Sequence, residues 1–128
     1  MAKRAKSTRT SPERRSVCPI ACTLDVLGDK WTLLVVRDLM AGGRTYGDLA
    51  DSPESIPTNL LADRLKRLVA AGLIDKREYQ DNPPRYEYAL TDAGWAPEPV
   101  LDALKKWGLK MIPGSEARIA YGKRGHKR

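Results

Sequence analysis

Between Asp29 and Thr91 the chain carries two short apolar-periodic segments, a third that reads as an exposed helix, and then a hairpin pattern around Asn82-Pro83-Pro84-Arg85. Asp29 can cap the first of these, a helix through Trp31, Leu33, Leu34, Val35, Val36, Leu39 and Met40 to a stop at Gly42-Gly43; it is apolar on most sides and should be the buried centre. Thr45 can cap a short helix holding Tyr46 and Leu49, after which Ser52-Pro53-Glu54-Ser55 turns the chain. A helix beginning at Ile56-Pro57 follows, with Leu61, Leu65, Leu68 and Val69 inward and Thr58, Asn59, Ala62, Asp63, Lys66 and Arg67 pointing elsewhere, up to Gly72.

Leu73 to Tyr79 and Arg85 to Leu90 read as strands, with Tyr86, Tyr88 and Leu90 alternating on one face. Helix, turn, exposed helix and hairpin in that order predict a mainly α winged helix-turn-helix with a small β-hairpin, and the loop from Gln80 to Pro84 is the wing. Two helices flank it. Cys18-Pro19 opens one, in which Ile20, Leu24 and Leu27 recur at helical spacing until Gly28. The other, capped by Thr91-Asp92-Ala93-Gly94, carries Val100, Leu101, Leu104 and Trp107 before Gly108. The stripes Ile20-Leu24-Leu27 and Val100-Leu104-Trp107 are left over once the reading head is packed, so a homodimer interface is expected from them.

A length of 128 residues suits a single domain. The expected division is a disordered basic arm over 1–16, a DNA-binding domain over 17–112 and a basic tail over 113–128. The net charge of +7 points to an anionic partner, but its location matters more. Residues 1–16 hold six basic residues against Glu13, and residues 115–128 hold five against Glu116. The ends thus contribute +5 and +4 of the +7, leaving −2 between them, so any DNA-binding face must be a local patch. The arms could add non-specific affinity along the duplex, with solubility the plain alternative.

No targeting pattern or long apolar stretch is present, so a soluble, cytoplasmic and nucleoid-associated protein without membrane contact is expected. Cys18 and Cys22, four residues apart, form no disulfide framework. The sole histidine, His126, lies in the basic tail. No catalytic residues, metal ligands or cofactor are therefore assigned, and an enzyme is not expected.

The run Cys18-Pro19, Thr23-Leu24, Gly28, Lys30-Trp31-Thr32, Ile56, Leu61, Arg64-Leu65, Leu68, Gly72-Leu73, Pro83-Pro84-Arg85, Glu87-Tyr88 and Leu90-Thr91 closely resembles HxlR-type transcriptional regulators. The resemblance covers about Cys18 to Gly108. It implies a bacterial winged-helix dimer that binds an operator and activates or represses neighbouring genes, with the helix after Ile56 as recognition helix. Three positions depart from the family pattern. Pro57 stands where Ser is usual, Cys22 replaces an often basic residue, and Pro97 adds a second proline to the expected Pro99, which bears on the geometry of the last helix.

A recognition helix reads base edges from its N-terminal half, so Thr58, Asn59, Ala62 and Asp63 are the candidates for base contact. Asn59 can pair bidentately with adenine, while Asp63 could accept from cytosine or instead pair at i, i+3 or i, i+4 with Lys66 or Arg67. Arg64, beside the inward stripe, suits a carboxylate or a phosphate better than a base. Arg44, Lys66, Arg67, Lys76, Arg77 and Arg85 are the candidates for backbone contact, with simple solvation the alternative for each. Cys18, at a helix start near Arg14 and Arg15, is a possible thiol sensor or else a small structural residue.

The expected partner is double-stranded DNA carrying an operator, most simply an inverted repeat, with a small-molecule or redox effector left open. A non-specific nucleoid-type binder and a winged-helix protein-interaction module are the alternatives.

Overall fold

Gly28, Gly42 and Gly72 each stop a helix in this chain, and the segments they separate form the fold. The structure, a computed structural model, describes residues 15–121. Of the expected arm and tail, residues 1–14 and 122–128, with His126, lie outside the described residues. Helices α1 (Pro19–Leu27), α2 (Thr32–Met40), α3 (Tyr46–Ala50) and α4 (Thr58–Ala70) precede strands β1 (Ile74–Asp81) and β2 (Pro84–Leu90), followed by α5 (Asp92–Trp95) and α6 (Glu98–Met111). None of the described helices is long and apolar enough to cross a membrane.

The chain divides into two units at Lys30/Trp31. In the first, Pro19 occupies the opening turn of α1 and Cys18 is its N-cap residue, as the fixed φ and missing N–H of proline favour. Ser16 Oγ accepts from the Cys18 N–H at 3.0 Å, and Arg15 Nε pairs with Asp25 Oδ1 at 2.8 Å.

The second unit is built on one core. Val35, Val36, Leu39 and Met40 of α2 meet Leu49 of α3, Leu61, Leu65 and Leu68 of α4, Ile74 of β1 and Leu101 of α6. Ile56 is part of this core and precedes α4, which starts at Thr58 because Pro57, in extended geometry, is its N-cap residue. Likewise α2 begins at Thr32, and its N-cap residue is Trp31, two residues after the expected cap at Asp29. Val69, expected inward, is 38% exposed.

Thr45 and Asp48 form a capping box at α3: Thr45 Oγ1 accepts from the Asp48 N–H at 3.1 Å, and Asp48 Oδ2 accepts from the Thr45 and Arg44 N–H groups at 3.1 and 3.0 Å. These amides hold the Asp48 carboxyl below its ordinary value.

The turn from α3 to α4 is held from α2. The Arg37 guanidinium grips Glu54 through two hydrogen bonds, of 3.0 and 2.7 Å, and donates also to Asp38 Oδ1 at 2.9 Å and Ser52 Oγ at 3.2 Å. Ser52 Oγ in turn donates to Glu54 Oε1 at 2.8 Å. Bidentate geometry of this kind fixes orientation as well as distance.

β1 and β2 pair antiparallel from Ile74↔Leu90 to Asp81↔Pro84, with the register shifting at Tyr79. The strands thus run further than expected, leaving Asn82-Pro83 as the connection. The segment before α3 joins the sheet edge: the Tyr88 N–H donates to the Arg44 carbonyl at 2.7 Å and Thr45 bridges Glu87.

At the hairpin base, Thr91 Oγ1 donates to the Gly72 carbonyl at 2.7 Å and the Thr91 N–H to the Leu73 carbonyl at 3.0 Å. Gly72 has a φ of 79°, the left-handed turn that glycine tolerates. A Cβ on Gly94 would run into the Leu73 carbonyl, so no larger residue fits there.

Thr91 caps only the short α5. A separate α6 starts at Glu98, where Pro97, with ψ near zero, redirects the chain and its carbonyl accepts from the Val100 and Leu101 N–H groups. Gly108 lies within α6, which ends at Met111; Ser115 Oγ then donates to the Gly108 and Ile112 carbonyls, both at 2.9 Å. Past it Tyr121, a residue of the expected tail, packs against the core.

Arg37 holds the Glu54 carboxyl at about 2, against an ordinary 4.5. The folded value lies below the unfolded one, so this contribution to stability is complete above pH 4.5 and lost as pH falls toward 2. With the Glu54 side chain 37% exposed, solvent screening leaves about 1 kcal/mol. Denaturant unfolding of Glu54→Gln should show that loss at pH 7, and the gap from wild type should close in acid.

Candidate nucleic-acid interface

α4 offers one face to solvent because its leucines take the other. Leu61, Leu65 and Leu68 are buried, while Thr58, Asn59, Ala62, Lys66 and Arg67 are exposed and Asp63 is half-buried. Its N-terminal turn is held from α3, where the Tyr46 hydroxyl donates to the Thr58 carbonyl at 2.9 Å. Side chains of Thr58 and Asn59 therefore stand on a fixed, outward-facing first turn.

Asp63 accepts from Arg64 at 2.5 Å and pairs with Arg67 Nε at 2.9 Å across i, i+4. Of the two arrangements open to Asp63, the structure shows the intrahelical pair. Arg67, a candidate for backbone contact, shares it. Arg64 is largely buried, its side chain 13% exposed, consistent with packing beside the inward stripe.

Glu87 organises the charges of the hairpin. Arg77 lies opposite it in the β1–β2 register and forms a close ion pair, and Arg44 Nε stands 3.7 Å from its other oxygen. The Glu87 side chain is only 14% exposed, while those of Arg44 and Arg77 are 68% and 75% exposed. One carboxylate thus positions two outward cations. On strands β1 and β2, Lys76 Nζ stands 4.3 Å from the centroid of the Tyr86 ring, and the exposed Arg85 lies next to the Pro84 end of β2. Among the described residues, Lys66, Lys76 and Arg85 have no carboxylate within ion-pair distance.

The structure therefore brings Thr58, Asn59, Ala62 and Lys66 onto one α4 face, and Arg44, Lys76, Arg77 and Arg85 onto the hairpin and the segment bridged to it. Sequence reasoning missed Arg37, Tyr46, Glu54 and Glu87, which position that surface. The alternation of Tyr86, Glu87 and Tyr88 placed Glu87 on the opposite face from the tyrosines and was the available signal for it.

Cys18 is exposed, and the Ala21 and Ile20 amides at the start of α1 lower its thiol pKa. Cys22 Sγ donates to the Ser16 carbonyl at 3.4 Å. On α1, Ile20 and Leu24 are exposed and Leu27 is buried within the single chain; on α6, Val100, Leu104 and Trp107 are 41%, 53% and 59% exposed.

Comparison with known proteins gives concordant results. The family model described as HxlR-like helix-turn-helix matches residues 26–116. An uncharacterised HTH-type transcriptional regulator of Synechocystis sp. is 41% identical over 100 residues, 78% of this chain and 74% of that protein. Another, Rv3095 of Mycobacterium tuberculosis, is 39% identical over 93 residues, 73% of this chain but only 58% of its own length.

Among solved structures, PA1607, provisionally described as a transcription factor, superposes with a TM-score of 0.73 at 32% identity, covering 92% of this chain and 82% of that one. The redox regulator HypR in its oxidised form gives 0.66 at 32% identity, covering 73% and 96%.

Removing the Glu87 charge should leave Arg44 and Arg77 unneutralised on the surface. Glu87→Gln is expected to elute from a heparin column at higher salt than wild type, with unchanged helical circular dichroism; coincident elution would show that these arginines do not face a polyanion.

Proposed function

The chain belongs to the HxlR-like helix-turn-helix family, and from that premise we propose that it binds a specific double-stranded DNA operator as a homodimer and thereby regulates transcription. The observation that carries this reading is the α4 face, where Thr58, Asn59 and Ala62 stand exposed on a first turn anchored by Tyr46. An exposed helix N-terminus with short polar side chains suits base-edge recognition in the major groove.

In this reading Asn59 pairs with an adenine, Thr58 and Ala62 offer methyl contacts to thymine, and Lys66, Lys76 and Arg85 hold phosphates. Arg44 and Arg77, on the Glu87 face of the hairpin, are further candidates for backbone contact. Asp63 and Arg67 exchange their mutual pair for a cytosine amino group and a phosphate only where the operator offers both. The DNA-binding domain is taken as residues 17–112.

Two apolar stripes support dimerisation, each considered on its own helix. Val100, Leu104 and Trp107 form a contiguous exposed surface on α6, and Ile20 and Leu24 one on α1. Patches of this kind on a small chain mark association surfaces, and a symmetric dimer covers the same patch on both copies. The exposed, acidified Cys18 thiol supports a second level of control, by oxidants or electrophiles, and the likeness to a redox regulator favours it.

Selection of sites from a random duplex pool at physiological salt tests the central claim. Wild type is expected to enrich an inverted repeat with half-sites about one helical turn apart. Asn59→Ala should lose discrimination at one position per half-site, by about 1–3 kcal/mol; enrichment without a motif would instead identify a non-specific binder.

Sedimentation at micromolar concentration should give a dimer for wild type and a monomer for Trp107→Glu. A wild-type monomer would refute the assembly.

A further inference from the structure

A groove of about 510 Å³ runs between α4 and the hairpin, within the roughly 300–1,000 Å³ usual for small-molecule sites. Its floor is the helical stripe Ala62, Leu65, Val69 and Ala70, whose small residues leave the space open. Tyr46 lines it too, its hydroxyl committed to the Thr58 carbonyl, so the ring is a fixed apolar wall. Val69 is 38% exposed here, an apolar side chain that the core does not use.

The polar groups of the groove share one character. Lys66 comes from α4, and Lys76 and Tyr88 are cross-strand partners on the hairpin. No carboxylate lines it. Burial, with Tyr46 and Tyr86 nearby, raises the Tyr88 pKa, so its hydroxyl stays a proton donor. Two lysines and a tyrosine in the lining of an apolar slot, with the Lys76 ammonium resting over the neighbouring Tyr86 ring, complement a flat apolar body that ends in one anionic group.

We propose that this groove binds a small aromatic carboxylate, its ring against Val69 and Ala70 and its carboxylate held by Lys66, Lys76 and the Tyr88 hydroxyl. The consequence for regulation rests on the DNA reading given above. Lys66 and Lys76 serve there as phosphate contacts, so a bound carboxylate engages both lysines and lowers the net charge of that face by one. Acid and operator then oppose each other, and by linkage each weakens the other by the same factor.

Methyl-detected NMR of the full chain titrated with 1-naphthoate tests the site directly. Shifts confined to the Ala62, Leu65, Val69 and Ala70 methyls are expected, with naphthalene-1-carboxamide and the K66Q/K76Q double variant each weaker by about tenfold or more. Absence of those shifts at millimolar naphthoate, or equal binding of the amide, overturns the proposal. Displacement of a selected duplex by naphthoate supports the regulatory link, and binding without displacement overturns that link. A chain that selects no duplex but still shows these shifts retains the site and overturns the DNA reading instead.

Discussion

The contact between Arg37 and Glu54 is the constraint on which the rest of the second unit depends. α3 has only five residues and α4 begins without a side-chain cap, so beyond the hydrogen bond from Tyr46 to the Thr58 carbonyl neither fixes the angle of the turn between them. A single guanidinium on the longer α2 does so, engaging Glu54, Ser52 and its neighbour Asp38 together. Because the Arg37 side chain is only 14% exposed, its charge is effective only with these partners in place. The direction in which Thr58 and Asn59 face thus follows from a residue that is nowhere near them in sequence.

The same economy appears in the charges. Several acidic residues of the described region hold cations: Asp63 between Arg64 and Arg67, Glu87 between Arg44 and Arg77, Asp102 beside Lys106 at 3.0 Å. At Glu87, where the carboxylate lies deeper than the Arg44 and Arg77 side chains it orients, a body that is slightly acidic overall presents outward cations. Pairs of this exposure contribute little to stability individually; what they set is direction.

Much of the architecture was legible because it depends on neighbours in sequence. The Pro19 start of α1, the Thr45 cap, the leucine stripe of α4 and the Gly72 stop all rest on local rules. The interruption between α5 and α6 was signalled by Pro97 but not its placement, since Thr91 could cap either a long helix or one turn. Val69 continued an apolar period that the hairpin does not cover, and Gly108 looked like a stop while Ser115 carries the helix end beyond it. At the site, exposure of Thr58, Asn59 and Ala62 followed from the leucines opposite. The partners of Arg37 and Arg77 did not, because pairing across 17 or 10 residues is decided by tertiary geometry.

Thr91 holds the last two residues of the short link between α4 and β1: its hydroxyl donates to the Gly72 carbonyl and its amide to the Leu73 carbonyl. The Arg44 carbonyl meanwhile receives the Tyr88 amide from the far strand. The hairpin is therefore gripped at its root from two directions, by two main-chain bonds and the Thr91 hydroxyl, none of which depends on side-chain identity at the tip. Substitutions at Gln80, Asp81 or Asn82 can thus change the charge of the protrusion while the root keeps its angle to the helix beside it.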